Sequence, residues 1–259
     1  MTQLHWITVT VAKTQGSAPR EVGAAMQVFA HGQTGTIGGG ALEYEACAIA
    51  RKMLDDGAEQ SKRSFPLGPD LGQCCGGSVG LHFHLNRNDP EPTGRPLWIW
   101  GAGHVGRAVA SVLAPLQQTT ITIVDTNSER MPDQLPTGVV PLVASDPMRA
   151  VQHAPVDADH LIMTYSHDLD FGLCDALLRH GFHSCGLIGS RTKWTRFQKR
   201  LLALGHANTA ISDINCPIGD PTLGKHPQAI AIGVASSFLL KNSRSLGRGS
   251  QHDAIAAIN

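Results

Sequence analysis

LWIWGAGHVGRAVASVLAPLQQTTITIVD, residues 97–125, decides the fold class of the larger part of the chain. Leu97 to Trp100 is a short apolar strand, Gly101 to Gly106 (GAGHVG) is a glycine loop, Val105 to Leu116 is a helical stretch interrupted by Pro115, and Thr119 to Val124 is the next strand. A strand before the glycines, a helix after them and an acid at the end of the following strand are the setting in which GxGxxG binds a phosphate. Gly101 permits the tight turn, Gly103 lets the backbone approach a pyrophosphate, and Gly106 lets helix and strand pack closely. The amides at the helix start, His104 included, face the anion. Asp125 lies roughly 20 residues downstream, where a ribose-binding acid is expected. The alternative is a Rossmann turn whose ligand site has been lost or reassigned, because one fold hosts many functions.

Beyond Asp125, strand candidates at Gly138 to Val143, His160 to Met163 and Ser184 to Ile188 alternate with helical patterns at Asp170 to His180 and Lys193 to Leu204. Alternation of this kind predicts a doubly wound parallel sheet, with ligands outside the carboxyl ends of its strands. GLIGSR, ending at Arg191, closes one such strand, so Ser190 and Arg191 are site candidates. YSHDLD, Tyr165 to Asp170, follows another; His167 and Asp168 either reach the crevice, or Asp168 or Asp170 caps the next helix. Cys216-Pro217-Ile218-Gly219 and Lys225 precede the last helix, and Lys225 either serves a phosphate, the reading preferred here, or is simply solvated. Pro227 to Leu240 is apolar nearly all round and reads as a buried helix, and the tail from Lys241 reads as disordered.

Upstream, Trp6 to Ala12 is a β-branched strand followed by a loop from Gly16 to Gly23, and Ala25 to Phe29 with Thr34 to Ile37 reads as a hairpin. Gly38-Gly39-Gly40 then opens a helix over Ala41 to Leu54 with a stop at Gly57. That turn either binds an anion through unpaired amides or is a sharp strand-to-helix turn with no ligand. Pro66 to Gly77 is a Gly- and Pro-rich loop carrying Cys74 and Cys75. Two adjacent thiols there suit soft-metal or sulfur chemistry; otherwise they are small buried residues. A structural zinc site would need a second ligand pair, which the sequence lacks. In SVGLHFHL the apolar Val79, Leu81, Phe83 and Leu85 share one face of a strand, and His82 and His84 form the polar other face. Asn86 to Arg95 has the composition of an exposed connection, which predicts a mixed α/β domain over residues 1–90, a Rossmann-type domain over 96–240 and a tail over 241–259.

Lys plus Arg and Asp plus Glu both total 21, so no net field draws the chain to nucleic acid or to an anionic membrane. No stretch approaches the roughly 18 apolar residues of a membrane span, and MTQLHWITVTVAKTQ has no secretory pattern. Six cysteines without a CxxC pair fit free thiols in a reducing compartment, so a soluble cytoplasmic protein is expected. No catalytic acid/base pair stands out. The rival reading is an NAD(P)-dependent oxidoreductase that uses GAGHVG and Asp125. It leaves Gly38 to Gly40 and Cys74-Cys75 without a role.

Seven blocks in order, TQGSAPREVGAAM, GTIGGGALE, LGQCCGG, WIWGAGHVGRAVA, IVDTNSERMP, GLIGSRTKWTRF and CPIGDPTLGKHPQAIAI, together resemble the XdhC/CoxI family over about residues 5 to 240. The resemblance implies a first XdhC/CoxI-type domain and a second Rossmann domain, often dimeric, that bind molybdenum cofactor. It implies delivery of that cofactor to apo xanthine dehydrogenase and a cysteine desulfurase as partner in exchanging an oxo ligand on molybdenum for sulfur. On that view Cys75, with Cys74, contacts the cofactor or its sulfur. Gly101, Gly103 and Gly106 offer amides to a phosphate of the pterin or of a bound nucleotide.

Overall fold

In the computed structural model the described residues are 5–68, 77–87, 94–116 and 118–253, without the side chains of 242–253. They fall into two compact units, Met1–Glu91 and Pro92–Asn259. Cys74 and Cys75 lie outside the described residues.

The first unit holds β1 (Ile7–Gln15), β2 (Ala25–Phe29), β3 (Gly32–Gly35), α1 (Gly40–Asp56), β4 (Gln60–Pro66) and β5 (Ser78–Leu85). The strands form one antiparallel sheet in the order β3-β2-β1-β5-β4. Period-two alternation turns Ile7, Val9, Val11, Val79, Leu81 and Phe83 into one core with Leu42, Ala46, Ala50 and Met53 of α1. The hairpin begins pairing at Phe29 and Gly32, so β3 starts ahead of the Thr34 expected from sequence. β4 was not expected as a strand. Its sequence, QSKRSFP, buries only Phe65, the pattern of an edge strand that carries charge against pairing with another chain.

The second unit holds β6 (Leu97–Trp100), α2 (His104–Leu113), β7 (Ile121–Asp125), β8 (Val139–Val143), α3 (Pro147–Ala150), β9 (Asp159–Ile162), α4 (His167–His180), β10 (Ser184–Leu187), α5 (Arg191–Ala203), α6 (Asn208–Ser212), β11 (Ile214–Asn215) and α7 (Pro227–Asp253). The six strands are parallel, in the order β11-β10-β9-β6-β7-β8, which is the doubly wound arrangement with its switch point between β6 and β9. Alternation along β6 feeds two cores. Leu97 and Ile99 pack with Val109, Leu113, Ala231, Val234 and Phe238 of α2 and α7. Trp98 and Trp100 pack with Leu173, Leu177, Phe197 and Leu201 of α4 and α5.

Two expectations for the chain's last helix change. α7 buries one stripe while Ile232 is 56% exposed, so it covers a face of the sheet and is not surrounded. Its backbone also stays helical to Asp253, into the stretch read as a disordered tail.

Ile99 is fully buried in the central strand between Trp98 and Trp100. Ile99→Ala is expected to cost about 2–5 kcal/mol, seen as an earlier urea midpoint in tryptophan fluorescence. His160, on β9, accepts a 3.1 Å hydrogen bond at Nδ1 from Trp100 Nε1 and stacks on that ring. Burial, with His180 nearby, pushes its pKa down to about 3. The folded state therefore keeps His160 neutral, while the unfolded chain protonates it below about 6.5. Stability contributed by this group is present above pH 6.5 and is lost as pH falls toward 3, at up to about 1.4 kcal/mol per pH unit. His160→Gln is expected to flatten that slope in denaturation curves taken between pH 7 and 4.5; an unchanged slope would count against it.

Candidate Rossmann-edge site

The glycines after β6 divide into two kinds. Gly101 has φ +118° and a Cβ there would overlap the Met163 carbonyl; a Cβ on Gly106 would overlap the Gly101 carbonyl. Both are glycine because three backbone segments converge. Gly103 differs: its φ is −71°, and a Cβ on it would meet nothing within 4 Å. It stands at the N-cap of α2, where no side chain caps the helix, and His104 after it is exposed. The start of α2 therefore presents backbone donors to an open side, as a phosphate site requires.

Asp125 is placed differently from a free ribose acid. Its side chain is 3% exposed. Oδ2 accepts from the Ala102 amide at 2.7 Å, and Oδ1 accepts from the Thr126 amide at 2.7 Å and lies 3.0 Å from Arg130 Nε. The Arg130 guanidinium lies 3.7 Å from the centre of the Tyr165 ring, whose hydroxyl is 3.3 Å from Thr126 Oγ1. Arg107 of α2 completes the tie, donating from Nε to the Ala102 carbonyl at 2.5 Å and from Nη2 to the Arg130 carbonyl at 2.9 Å. The cavity bounded by Gly101, Asp125, Thr126, Thr164 and Tyr165 measures about 10 Å³, room for about one water. An adenosine ribose can reach Asp125 only if Arg130 and Tyr165 move. Arg130, Tyr165 and Arg107 carry no signal in the sequence that singles them out, since they meet only through the sheet order.

Along the same edge, Lys193 Nζ of α5 contacts Asp170 Oδ2 at 2.5 Å and donates to the Ile188 carbonyl at 2.9 Å. Thr164 donates to Asp170 Oδ1 from its amide at 3.0 Å and from Oγ1 at 2.7 Å. Asp170 is thus a buried strut and not the cap of α4. Ser166 caps α4, and His167 and Asp168 are exposed in its first turn. Ser190 is exposed and caps α5 through the Lys193 amide, and Lys225 is exposed just before α7. Burial raises the thiol pKa values of Cys174 and Cys185 and pushes that of Cys216 up to about 11, so all three stay protonated at neutral pH.

In the first unit the Gly38-Gly39-Gly40 turn has φ of +123°, +72° and +62°. The anion at this helix start is the chain's own Glu43. Its Oε2 accepts from the amides of Ile37 at 3.1 Å and Gly39 at 3.0 Å and from Thr36 Oγ1 at 2.6 Å, and its Oε1 accepts from Gln33 Nε2 at 2.6 Å. Burial alone would raise the Glu43 pKa, but these hydrogen bonds outweigh it and hold the carboxyl below its usual range. Among the described residues, no group of three or more His, Cys, Asp and Glu side chains could hold a metal ion.

The glycines give a paired test. Gly106→Ala is expected to destabilise the second unit by well over about 1 kcal/mol, because backbone must shift to admit the methyl group. Gly103→Ala should lower the melting temperature much less, because its φ suits alanine and its surroundings are open, which leaves only the weaker N-capping of alanine as a cost. Comparable losses in thermal melts of the two variants would contradict this division.

Family profiles match in the same places. The one described as the XdhC Rossmann domain covers residues 97–238, and the one described as the XdhC and CoxI family covers residues 3–65. The uncharacterized protein YqeB of Escherichia coli K12 is 29% identical over 246 residues, covering 90% of this chain and 43% of its own length. The chain thus spans less than half of that relative. A Bacillus halodurans protein described as a xanthine dehydrogenase has a crystal structure that superposes at TM-score 0.69 over 94% of this chain and 93% of that one. At 17% identity this is a likeness of fold. With its glycine loop, parallel sheet and first-unit segment all inside matched regions, the chain belongs to the XdhC and CoxI family and carries the XdhC Rossmann domain.

Proposed function

We propose that this chain is an accessory protein to a xanthine dehydrogenase: it binds molybdenum cofactor as cargo, shields it during sulfuration and hands it to the apo enzyme. The observation that carries this reading is the combination at the Rossmann edge. The open, uncapped start of α2 at Gly103 suits the phosphate of the pterin, while the carboxylate that would select an ordinary dinucleotide is engaged by Ala102 and Arg130. That pattern fits a phosphate-terminated ligand that lacks an adenosine ribose, and it weighs against the NAD(P)-dependent oxidoreductase.

The phosphate end is where the described residues fit the cargo. Gly103 and His104 would supply amides, with an anion at such a helix start worth about 0.3–1 kcal/mol when exposed. Cys75, with Cys74, is the proposed contact for the dithiolene or its sulfur. Gly38 to Gly40 are proposed as backbone contacts to the cofactor other than the Gly39 amide, which is already bonded to Glu43. Ser190 and Lys225 are proposed as outer contacts on the cofactor side. The chain's part is to bind, to exclude water and oxidant, and to release; the sulfur comes from a cysteine desulfurase partner, and a homodimer is the proposed assembly. A cytoplasmic setting accords with balanced charge and with the finding that no helix among the described residues is long and apolar enough to cross a membrane.

The test is retention of molybdenum cofactor, released anaerobically from a molybdoenzyme, by wild type, Cys75→Ala and Gly103→Asp, with NADH titrated in parallel. Stoichiometric retention by wild type and at least about a tenfold loss in each variant, equivalent to 1.4 kcal/mol, is the expected result. Tight NADH binding with no cofactor retention would overturn the proposal in favour of the oxidoreductase.

A further inference from the structure

The first unit's sheet has a second face, opposite the α1 core, and its cross-strand register collects positive charge there. Thr10 of β1 pairs with His82 of β5, which pairs with Lys62 of β4; Thr8 pairs with His84, which pairs with Gln60. Arg87 follows β5, and its carbonyl accepts hydrogen bonds from Trp6 Nε1 at 3.0 Å and from Thr8 Oγ1, which anchors the arginine beside the histidines. The two imidazoles lie 6.3 Å apart, edge to face. A concavity of about 250 Å³ opens over them, bordered by Thr10, Val22, Gly23, His82, His84 and Arg87.

The charges are unbalanced. Burial is the main cause that lowers the His84 pKa below the ordinary histidine value, and Arg87, His82 and Lys62 act in the same direction. The acid on the bordering loop, Glu21, is 69% exposed and pairs with Arg20 at 3.4 Å. Like charges on directly opposed strand positions are destabilising, and a chain with 21 acids and 21 bases has no general excess of cations to spread. Polar donors converging on a concave surface, with no acid among the described residues paired to them, are what an anion site requires.

We propose that the concavity over His82, His84 and Arg87 is an oxyanion-binding site, separate from the start of α2, which takes phosphate or the phosphate group of a monoester, with Lys62 on the neighbouring strand adding its charge. The Lys62 ammonium and Arg87 guanidinium groups supply the charge, the imidazoles supply ring N–H donors, and Thr10, which borders the concavity, supplies a hydroxyl donor. Binding relieves the cationic crowding and should tighten as the histidines protonate.

The full chain is titrated at constant ionic strength with inorganic phosphate, with glycerol 2-phosphate and with sodium chloride, following the imidazole ring protons of His82 and His84 by NMR. Sulfate, whose charge is constant over the range, carries the pH comparison. Saturable shifts with phosphate or with the monoester are expected, and they separate free phosphate from an esterified source by which binds more tightly. In saturating sulfate the His84 pKa should rise, and affinity should be several-fold higher at pH 5.5 than at pH 8. Lys62→Gln, at an exposed strand position, should weaken binding several-fold without changing the melting temperature. Gly103→Asp should leave it unchanged, which separates this site from the Rossmann edge. Shifts that rise linearly, match those of sodium chloride or ignore Lys62→Gln would overturn the proposal.

Discussion

The first turn of α2 can sit on the end of β6 because no side chain intervenes. The Gly106 Cα faces the Gly101 carbonyl, and the Gly101 Cα faces the Met163 carbonyl beyond the end of β9. With that contact closed, Ala102 is held where its amide meets Asp125 and its carbonyl meets Arg107. Arg107 then reaches the Arg130 carbonyl, and Arg130 reaches Asp125 and Tyr165. The loops after β6, β7 and β9 therefore behave as one hydrogen-bonded edge. A methyl group at the Gly101 or Gly106 position would part the strands that carry it, whereas Gly103 lies outside this contact with open space around its Cα.

The two glycine turns solve the same physical problem, orphan amides at a helix start, in opposite ways. At α1 the amide of Gly39 is satisfied by Glu43 from the helix's own first turn, assisted by Thr36 and Gln33. An internal carboxylate held by four donors will not yield easily to an external anion. At α2 no side chain performs this task, and the acid nearest the loop spends its oxygens on Ala102, Thr126 and Arg130. The amides left over lie at Gly103 and beyond it. Glycine runs of similar appearance thus differ in whether a downstream side chain satisfies their amides.

Much of the fold was legible because it is written in local patterns. Strand–glycine–helix–strand at 97–125, and the alternation that followed, predicted the parallel sheet; alternation in SVGLHFHL predicted which face of β5 would be buried. β4 escaped because an edge strand has a single apolar contact to reveal it. The cap of α4 was sought at Asp168 or Asp170, and Ser166, a capping type just upstream, was missed; the structure assigns Ser166 to the cap and buries Asp170 against Lys193. The Arg130–Tyr165 contact and the Lys193–Asp170 pair join elements far apart in sequence, so no spacing rule could announce them. For the same reason the engagement of Asp125 was invisible, although its position at the end of β7 was read correctly from sequence.

A carrier must hold its cargo and also let it go, which limits how much any one contact can contribute. An exposed helix start contributes about 0.3–1 kcal/mol to an anion, far from the roughly 8 kcal/mol of a micromolar complex. On the proposed reading, affinity must therefore come from several contacts made together, of which the α2 amides are one. Losing one contact to a partner enzyme would then lower affinity steeply, without any need to unfold the site. The rigid edge built on Gly101 and Gly106 suits such a division of labour. It keeps the weak amide site pre-formed, so that little ordering entropy is lost on binding, while release is governed by contacts outside that edge.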